Sequence, residues 1–152
     1  MVKVVLDTSV LAAAFLKRGG VNHQVLERAS LRYRLYLSEA IVEETQRVLL
    51  TYGRIRRRYP YSDQDVRDFI EALREVSEEV FTCCPEVRVV EEDPKDDIVL
   101  ACGVKAKADY IVSKDQHLVS LREYRGIKLV STDEFLKVVL KQDDARPGEV
   151  PP

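Results

Sequence analysis

Short apolar runs alternate with longer amphipathic stretches along the whole chain. An α/β fold produces this alternation, because strands covered on both faces read as continuous apolar segments while crossover helices carry a single apolar stripe. Val2 to Leu6 reads as strand, Ser9 to Lys17 as helix, and Gly19-Gly20 as the break before a helix around His23 to Ser30. Leu35 to Leu37 is a short strand. Ser38 then caps a helix from Glu39 to about Tyr52, with Ile41, Thr45, Val48, Leu49 and Tyr52 on one stripe. Glu44 shares that stripe, whereas Glu43 and Arg47 point away; Glu43 takes the place of Glu44 if the helical phase is off by one residue. Gly53 to Tyr61 reads as a basic loop, and Ser62 with Asp65 as a capping box opening a helix to about Glu79. Strand Val87 to Val90, an acidic loop Glu91 to Asp96 and a helix Asp97 to Lys107 follow. Strand Tyr110 to Ser113, a short helix Gln116 to Leu121, strand Ile127 to Val130 and a helix from Thr132 to about Leu140 complete the pattern. The expected fold is an α/β/α sandwich with a mostly parallel central sheet, one domain over residues 1–141. Residues 142–152, with Pro147, Gly148, Pro151 and Pro152, are expected to be a disordered tail.

Charged positions sharpen this picture. Asp7 ends the first apolar run, Asp115 closes the run Tyr110 to Lys114, and Asp96 follows the acidic loop. Right-handed crossovers bring residues that follow parallel strands to one sheet edge, where open α/β sheets bind ligands. Asp7 and Asp115 should therefore be neighbours, with Asp96 close by and Glu44 on a helix facing them. Two unit charges at about 4 Å repel by ~4 kcal/mol at an effective dielectric near 20, so such a group of carboxylates calls for a cation. A hard divalent ion, Mg²⁺ or Mn²⁺, is the natural choice for oxygen ligands. Each acid also has a plainer reading. Asp7, Asp96 or Asp97, and Asp115 all stand where helix caps occur; Asp93 and Pro94 suit a turn; Glu44 suits a partly exposed helix edge. Thr8 and Ser9 are either caps or donors that orient Asp7.

Composition sets bounds. The chain has 152 residues, 45% hydrophobic and 33% charged, which suits a single folded domain rather than a disordered segment. A net charge of −2 gives no general attraction to nucleic acid, so any polyanion site must come from local asymmetry. Arg54, Arg56, Arg57 and Arg58 supply one: either a solvated surface or a grip on phosphates, with Tyr59 or Tyr61 for base stacking. Lys105, Lys107 and Lys114 are the other candidates for holding a polyanion. Cys83, Cys84 and Cys102 lack metal-type spacing and read as reduced, mostly buried thiols. His23 and His117 read as non-catalytic. No apolar stretch approaches the ~18 residues of a membrane span, and the N-terminus enters a strand directly, so a cytoplasmic location without membrane contact is expected.

Three segments taken in order, VVLDTSVLAAAF, LSEAIVEETQRVL and DPKDDIVLACGVKAKADYIVSKDQHLVSL, resemble the successive motifs of the PIN domain family over about residues 2–140. The resemblance implies a Mg²⁺- or Mn²⁺-dependent endoribonuclease holding one or two ions. It further implies the VapC-like toxin of a toxin–antitoxin pair, with RNA as substrate, an antitoxin protein as partner and homodimerisation as an option. By motif, the acids carried over are Asp7, Glu44, Asp96 and Asp115, and Ser113 takes the small hydroxyl position before the last acid. Asp97 stands where the family frequently has Asn, and His117 where many members have another acid. Water attack would leave a 5′-phosphate and a 3′-hydroxyl. Two readings from other classes stand beside this one: a catalytically silent interaction module of the same fold, and a receiver-like phosphotransfer domain. The receiver-like reading requires regular five-strand βα alternation, which the long helical stretch from Glu39 to Glu79 opposes.

Overall fold

The structure, a computed structural model, describes residues 1–87 and 94–144, and all side chains within them except those of 94–96 and 142–144. The elements run β1 (Lys3–Leu6), α1 (Thr8–Leu16), α2 (Val21–Glu27), β2 (Arg34–Ser38), α3 (Glu39–Thr51), α4 (Gly53–Arg58), α5 (Asp63–Val76) and β3 (Glu79–Phe81). They continue with α6 (Pro94–Ala106), β4 (Tyr110–Val112), α7 (Gln116–Val119), β5 (Glu123–Tyr124), β6 (Ile127–Val130) and α8 (Thr132–Asp144). Among the described residues, six strands form one sheet in the order β3-β2-β1-β4-β6-β5. Every pairing is parallel except β5 with β6. The expected mostly parallel α/β architecture is the one observed.

The apolar runs fill the centre. Val4, Val5, Leu6, Leu35, Leu37, Ile111 and Val112 are buried, as central parallel strands require. Helix α6 approaches the sheet so closely at Gly103 that an added Cβ would lie 2.6 Å from Ile111 Cδ1 and 3.2 Å from Ile127 Cδ1. The predicted caps hold. The Ser62 hydroxyl accepts from Asp65 N–H at 3.0 Å while Asp65 accepts from Ser62 N–H at 2.9 Å. Ser38 accepts from Ile41 N–H at 3.3 Å and opens α3.

Three local expectations are corrected. The basic stretch after Tyr52 is helical, not a loop, through Arg58. Arginine is a good helix former, and Arg56, Arg57 and Arg58 fall in the last turn, where cations complement the helix dipole. Helix α5 stops at Val76 rather than Glu79, because Ser77 is extended and its N–H and hydroxyl both return to the Leu73 carbonyl. Glu79 to Phe81 then forms an edge strand paired with β2. The expected strand at 87–90 lies outside the described residues except for buried Val87, which is not in a strand. The expected acidic loop lies outside them for 91–93. The expected tail lies outside them from 145, while α8 continues to Asp144.

Candidate active site

Sheet order makes a crevice between β1 and β4. The chain leaves β1 toward β2 and β3 on one side and returns to β4 on the other, so connections diverge at the carboxyl ends of these two strands. Register Leu6↔Val112 sets Asp7 beside Ser113, and Asp7 N–H donates to the Val112 carbonyl at 3.0 Å. The expectation that Asp7 and Asp115 come together follows this pairing to the extent that Ser113 lies beside Asp7 and both acids line one cleft.

Asp7 is 9% exposed. Its Oδ2 accepts two hydroxyl hydrogen bonds, from Ser113 at 2.5 Å and Ser9 at 3.1 Å. Both hydroxyls are themselves polarised by backbone donors: Asp115 N–H reaches Ser113 Oγ at 3.0 Å, and Lys114 N–H reaches Ser9 Oγ at 3.2 Å. No side-chain donor reaches Oδ1 among the described residues, and no cation pairs with the carboxylate there. Asp7 stands at the N-cap of α1 without making a side-chain capping bond. Burial lifts its carboxyl above the ordinary range. The hydroxyls of Ser113 and Ser9, then the nearby N–H groups of Ser9 and Thr8, pull the other way without cancelling the lift. The Thr8 hydroxyl serves packing instead, accepting from Thr45 at 3.2 Å and so joining α1 to α3.

Asp7, Glu44 and Asp115 line one cleft of about 370 Å³, together with Thr8, Ser9, Lys114 and a bed of aliphatic side chains. Glu44 is the acid of α3 that faces the cleft; Glu43 is exposed. The Glu44 carboxylate is held bidentately by Arg47, Nη2 to Oε1 at 2.7 Å and Nε to Oε2 at 3.1 Å. Arg47, expected to point away from the stripe, therefore turns back to the acid one helical turn earlier, and that pairing holds its guanidinium charged. Asp115 is half-buried and does cap α7, its Oδ1 accepting from His117 N–H at 2.9 Å. Capping and facing the cleft are thus compatible.

Asp96 lies in the first turn of α6, three residues before Val99, which lines the cleft; its side chain is outside the described set. Asp97 instead lines a separate groove with Ser38, Phe81 and Cys84. Among the described residues no three Asp, Glu, His or Cys side chains are gathered as a ready metal cage. The donor set nonetheless fits a hard divalent cation. Its atoms are all carboxylate oxygens, and the most buried of them lacks, among the described residues, the charge partner that buried carboxylates normally have.

The basic helix divides by role. Arg56 pairs with Asp63 at 2.6 Å, donates to the Tyr61 carbonyl at 3.3 Å and stacks over the Tyr61 ring at 4.9 Å. Tyr61 donates to the Leu49 carbonyl at 2.6 Å and packs edge-on against Phe15. Both residues join α4 to α5 through these contacts. Arg54, Arg57 and Arg58 are exposed, with Arg58 over the half-buried Tyr59 ring at 5.7 Å. Two residues at the cleft escaped the sequence reading as site candidates: Arg47, whose i,i+3 spacing from Glu44 was a usable signal, and Tyr52. Cys84 and Cys102 fit the expectation of free, packed thiols, but Cys83 is exposed. His23 Nδ1 accepts from Gly19 N–H at 3.0 Å, and His117 is exposed.

A larger groove of about 760 Å³ lies between α1, α2 and α5, lined by Phe15, Leu26, Phe69 and Tyr59. It is the more capacious site, yet the buried carboxylate and its hydroxyl network belong to the smaller cleft.

The chain matches the PIN domain family over residues 3–117, and it belongs to that family. Among solved structures it is similar to a chain of VapBC2 from Rickettsia felis, described as bound to a DNA fragment from their promoter. The TM-score is 0.60 at 10% identity, covering 85% of this chain and 98% of that one. At that identity the likeness is one of fold. No curated protein sequence matches the chain. No helix among the described residues is long and apolar enough to cross a membrane.

Proposed function

We propose that this PIN domain protein is a metal-dependent endoribonuclease, the VapC-like toxin of a toxin–antitoxin pair. The observation that carries the reading is Asp7: a buried carboxylate whose side-chain donors among the described residues are hydroxyls, at the crevice where Glu44 and Asp115 also face. Asp7, Asp115 and Asp96 would hold one or two Mg²⁺ or Mn²⁺ ions, with Glu44 as a further ligand or as the group orienting the attacking water. The bound ion would lower the pKa of that water and polarise the scissile phosphate.

The chain's own residues do the rest. Ser113 and Ser9 fix Asp7 by donating into one oxygen, leaving Oδ1 to a ligand. Arg47 holds the Glu44 carboxylate bidentately at the cleft, which would fix the orientation in which Glu44 meets an ion or the attacking water. Arg54, Arg57 and Arg58 add phosphate contacts on the adjacent helix. No side-chain nucleophile is needed: water attacks the phosphorus, the 3′-oxygen leaves and takes up a proton, and the products are a 5′-phosphate and a 3′-hydroxyl, as the PIN family membership implies. Residues 1–141 act as one nuclease domain. A protein antitoxin belongs to this reading, as does a cytoplasmic location where RNA is reached; similarity in fold to a chain of a VapBC complex supports the partner. The test is cleavage of single-stranded RNA with Mn²⁺ against the same reaction in chelator, alongside co-expression with the product of any adjacent small gene.

A further inference from the structure

The Asp7 cleft is chemically mixed. Asp7, Glu44, Lys114 and Asp115 line the same cleft as Val48, Tyr52 and Ile55, which follow Glu44 along α3 and into the start of α4. Glu44, Val48 and Tyr52 follow one another at four-residue spacing, so Tyr52 lies about 12 Å from Glu44 along the helix axis. Tyr52 is unusual among the large apolar side chains in being 40% exposed while lining the cleft. It stands between α3 and α4, and its carbonyl accepts from Ile55 and Arg56 N–H, both at 3.1 Å, which fixes the backbone beneath the ring. Arg47 lies 5.5 Å over the ring centroid, and its bidentate hold on Glu44 fixes that guanidinium in turn. One arginine thus ties an exposed aromatic ring to an acid of the candidate metal site.

We propose that Tyr52, backed by Arg47, is a base-stacking subsite for a nucleotide flanking the scissile phosphate of single-stranded RNA. This rests on the nuclease reading above. The acids suit a cation and phosphate, and an aromatic ring two helical turns from Glu44 suits a base, because every base offers a π-face to a ring held in place. Cation–π contact with Arg47 strengthens the same platform. Recognition here is tolerant of sequence and restricted to unpaired strands, since a base already stacked in a duplex cannot lie on the ring.

The test uses the full chain in Ca²⁺, which suppresses cleavage, and a labelled RNA of about ten nucleotides, within the size range of single-strand sites. Affinity is measured for the intact oligomer and for a series with one abasic position each. Wild type should lose about tenfold in affinity at one abasic position. Tyr52→Ala should bind the intact oligomer about tenfold more weakly and be indifferent to that abasic change, while Tyr52→Phe keeps both properties. Mn²⁺ affinity should be unchanged in both variants. If wild type and Tyr52→Ala show the same abasic profile, the subsite is overturned while the nuclease reading stands. If wild type binds no RNA, both fall.

Discussion

Ser113 donates its hydroxyl hydrogen to Oδ2 of Asp7 at 2.5 Å across the seam between β1 and β4, from 106 positions away in the chain. The bond satisfies a carboxylate that burial otherwise opposes, and among the described residues no side-chain donor reaches the second oxygen. Ser113→Ala should therefore cost about 1–3 kcal/mol in urea unfolding, the usual penalty for leaving a buried polar group short of a partner. Mn²⁺ affinity should fall in the same variant; Ser113→Thr should restore part of both.

The raised Asp7 carboxyl carries a pH signature. The folded metal-free protein holds its proton more tightly than the unfolded chain, so this residue favours folding at low pH and that contribution is lost as pH rises through the raised value. Above that value the ionised group is a burden on the metal-free fold. Asp7→Asn should accordingly raise the metal-free Tm by roughly 2–4 °C while removing nuclease activity and the stabilisation that Mn²⁺ gives wild type. Saturation at about 100 times Kd should stabilise wild type by about 2.7 kcal/mol. Calorimetric scans with and without Mn²⁺ on both proteins check the pair of outcomes.

Asp96 and Asp97 should separate cleanly. Asp97 lines the groove of Ser38 and Cys84 rather than the acidic cleft, so Asp97→Asn should retain most activity. Asp96→Asn should lose at least about a hundredfold in kcat if the residue is a ligand whose loss disrupts the metal site. Steady-state cleavage rates at saturating Mn²⁺ distinguish them.

The arginines of α4 should behave unequally. Arg54→Gln, Arg57→Gln and Arg58→Gln together should weaken RNA binding and flatten its salt dependence by about 0.7 for each phosphate no longer neutralised. Arg56→Gln should leave the salt slope nearly unchanged and instead lower stability by no more than about 1 kcal/mol through the Asp63 pair, which is partly exposed. Anisotropy titrations across a salt series, with urea melts, test both halves.

Legibility in the sequence followed the strength of local signals. The β1 run, the 127–130 strand and the caps at Ser38 and Ser62 were readable because apolar continuity, a serine ahead of an apolar helical stripe and, at Ser62, S-x-x-D spacing act over a few residues. That Asp7 and Asp115 face one cleft was readable too, since parallel-sheet topology sets the ends of β1 and β4 side by side. Strands β3 and β5 were not: one has three residues and the other two, at the sheet edges, where pairing partners rather than side-chain pattern define them. Bracketed by Gly53 and Pro60 and carrying Ile55 as its only large aliphatic, the basic segment had no apolar stripe to declare a helix. Glu44 was located correctly from helical phase, but its Arg47 partner requires a rotamer choice that spacing alone leaves open.

The decisive experiment maps the ends of RNA cut by wild type and by Asp7→Asn, each folded, in Mn²⁺ and in chelator. Wild type should give 5′-phosphate and 3′-hydroxyl ends only with Mn²⁺, and Asp7→Asn should give no cleavage in either condition. Cleavage that persists in chelator, 2′,3′-cyclic phosphate ends, or full activity in Asp7→Asn would contradict metal-dependent hydrolysis at this cleft.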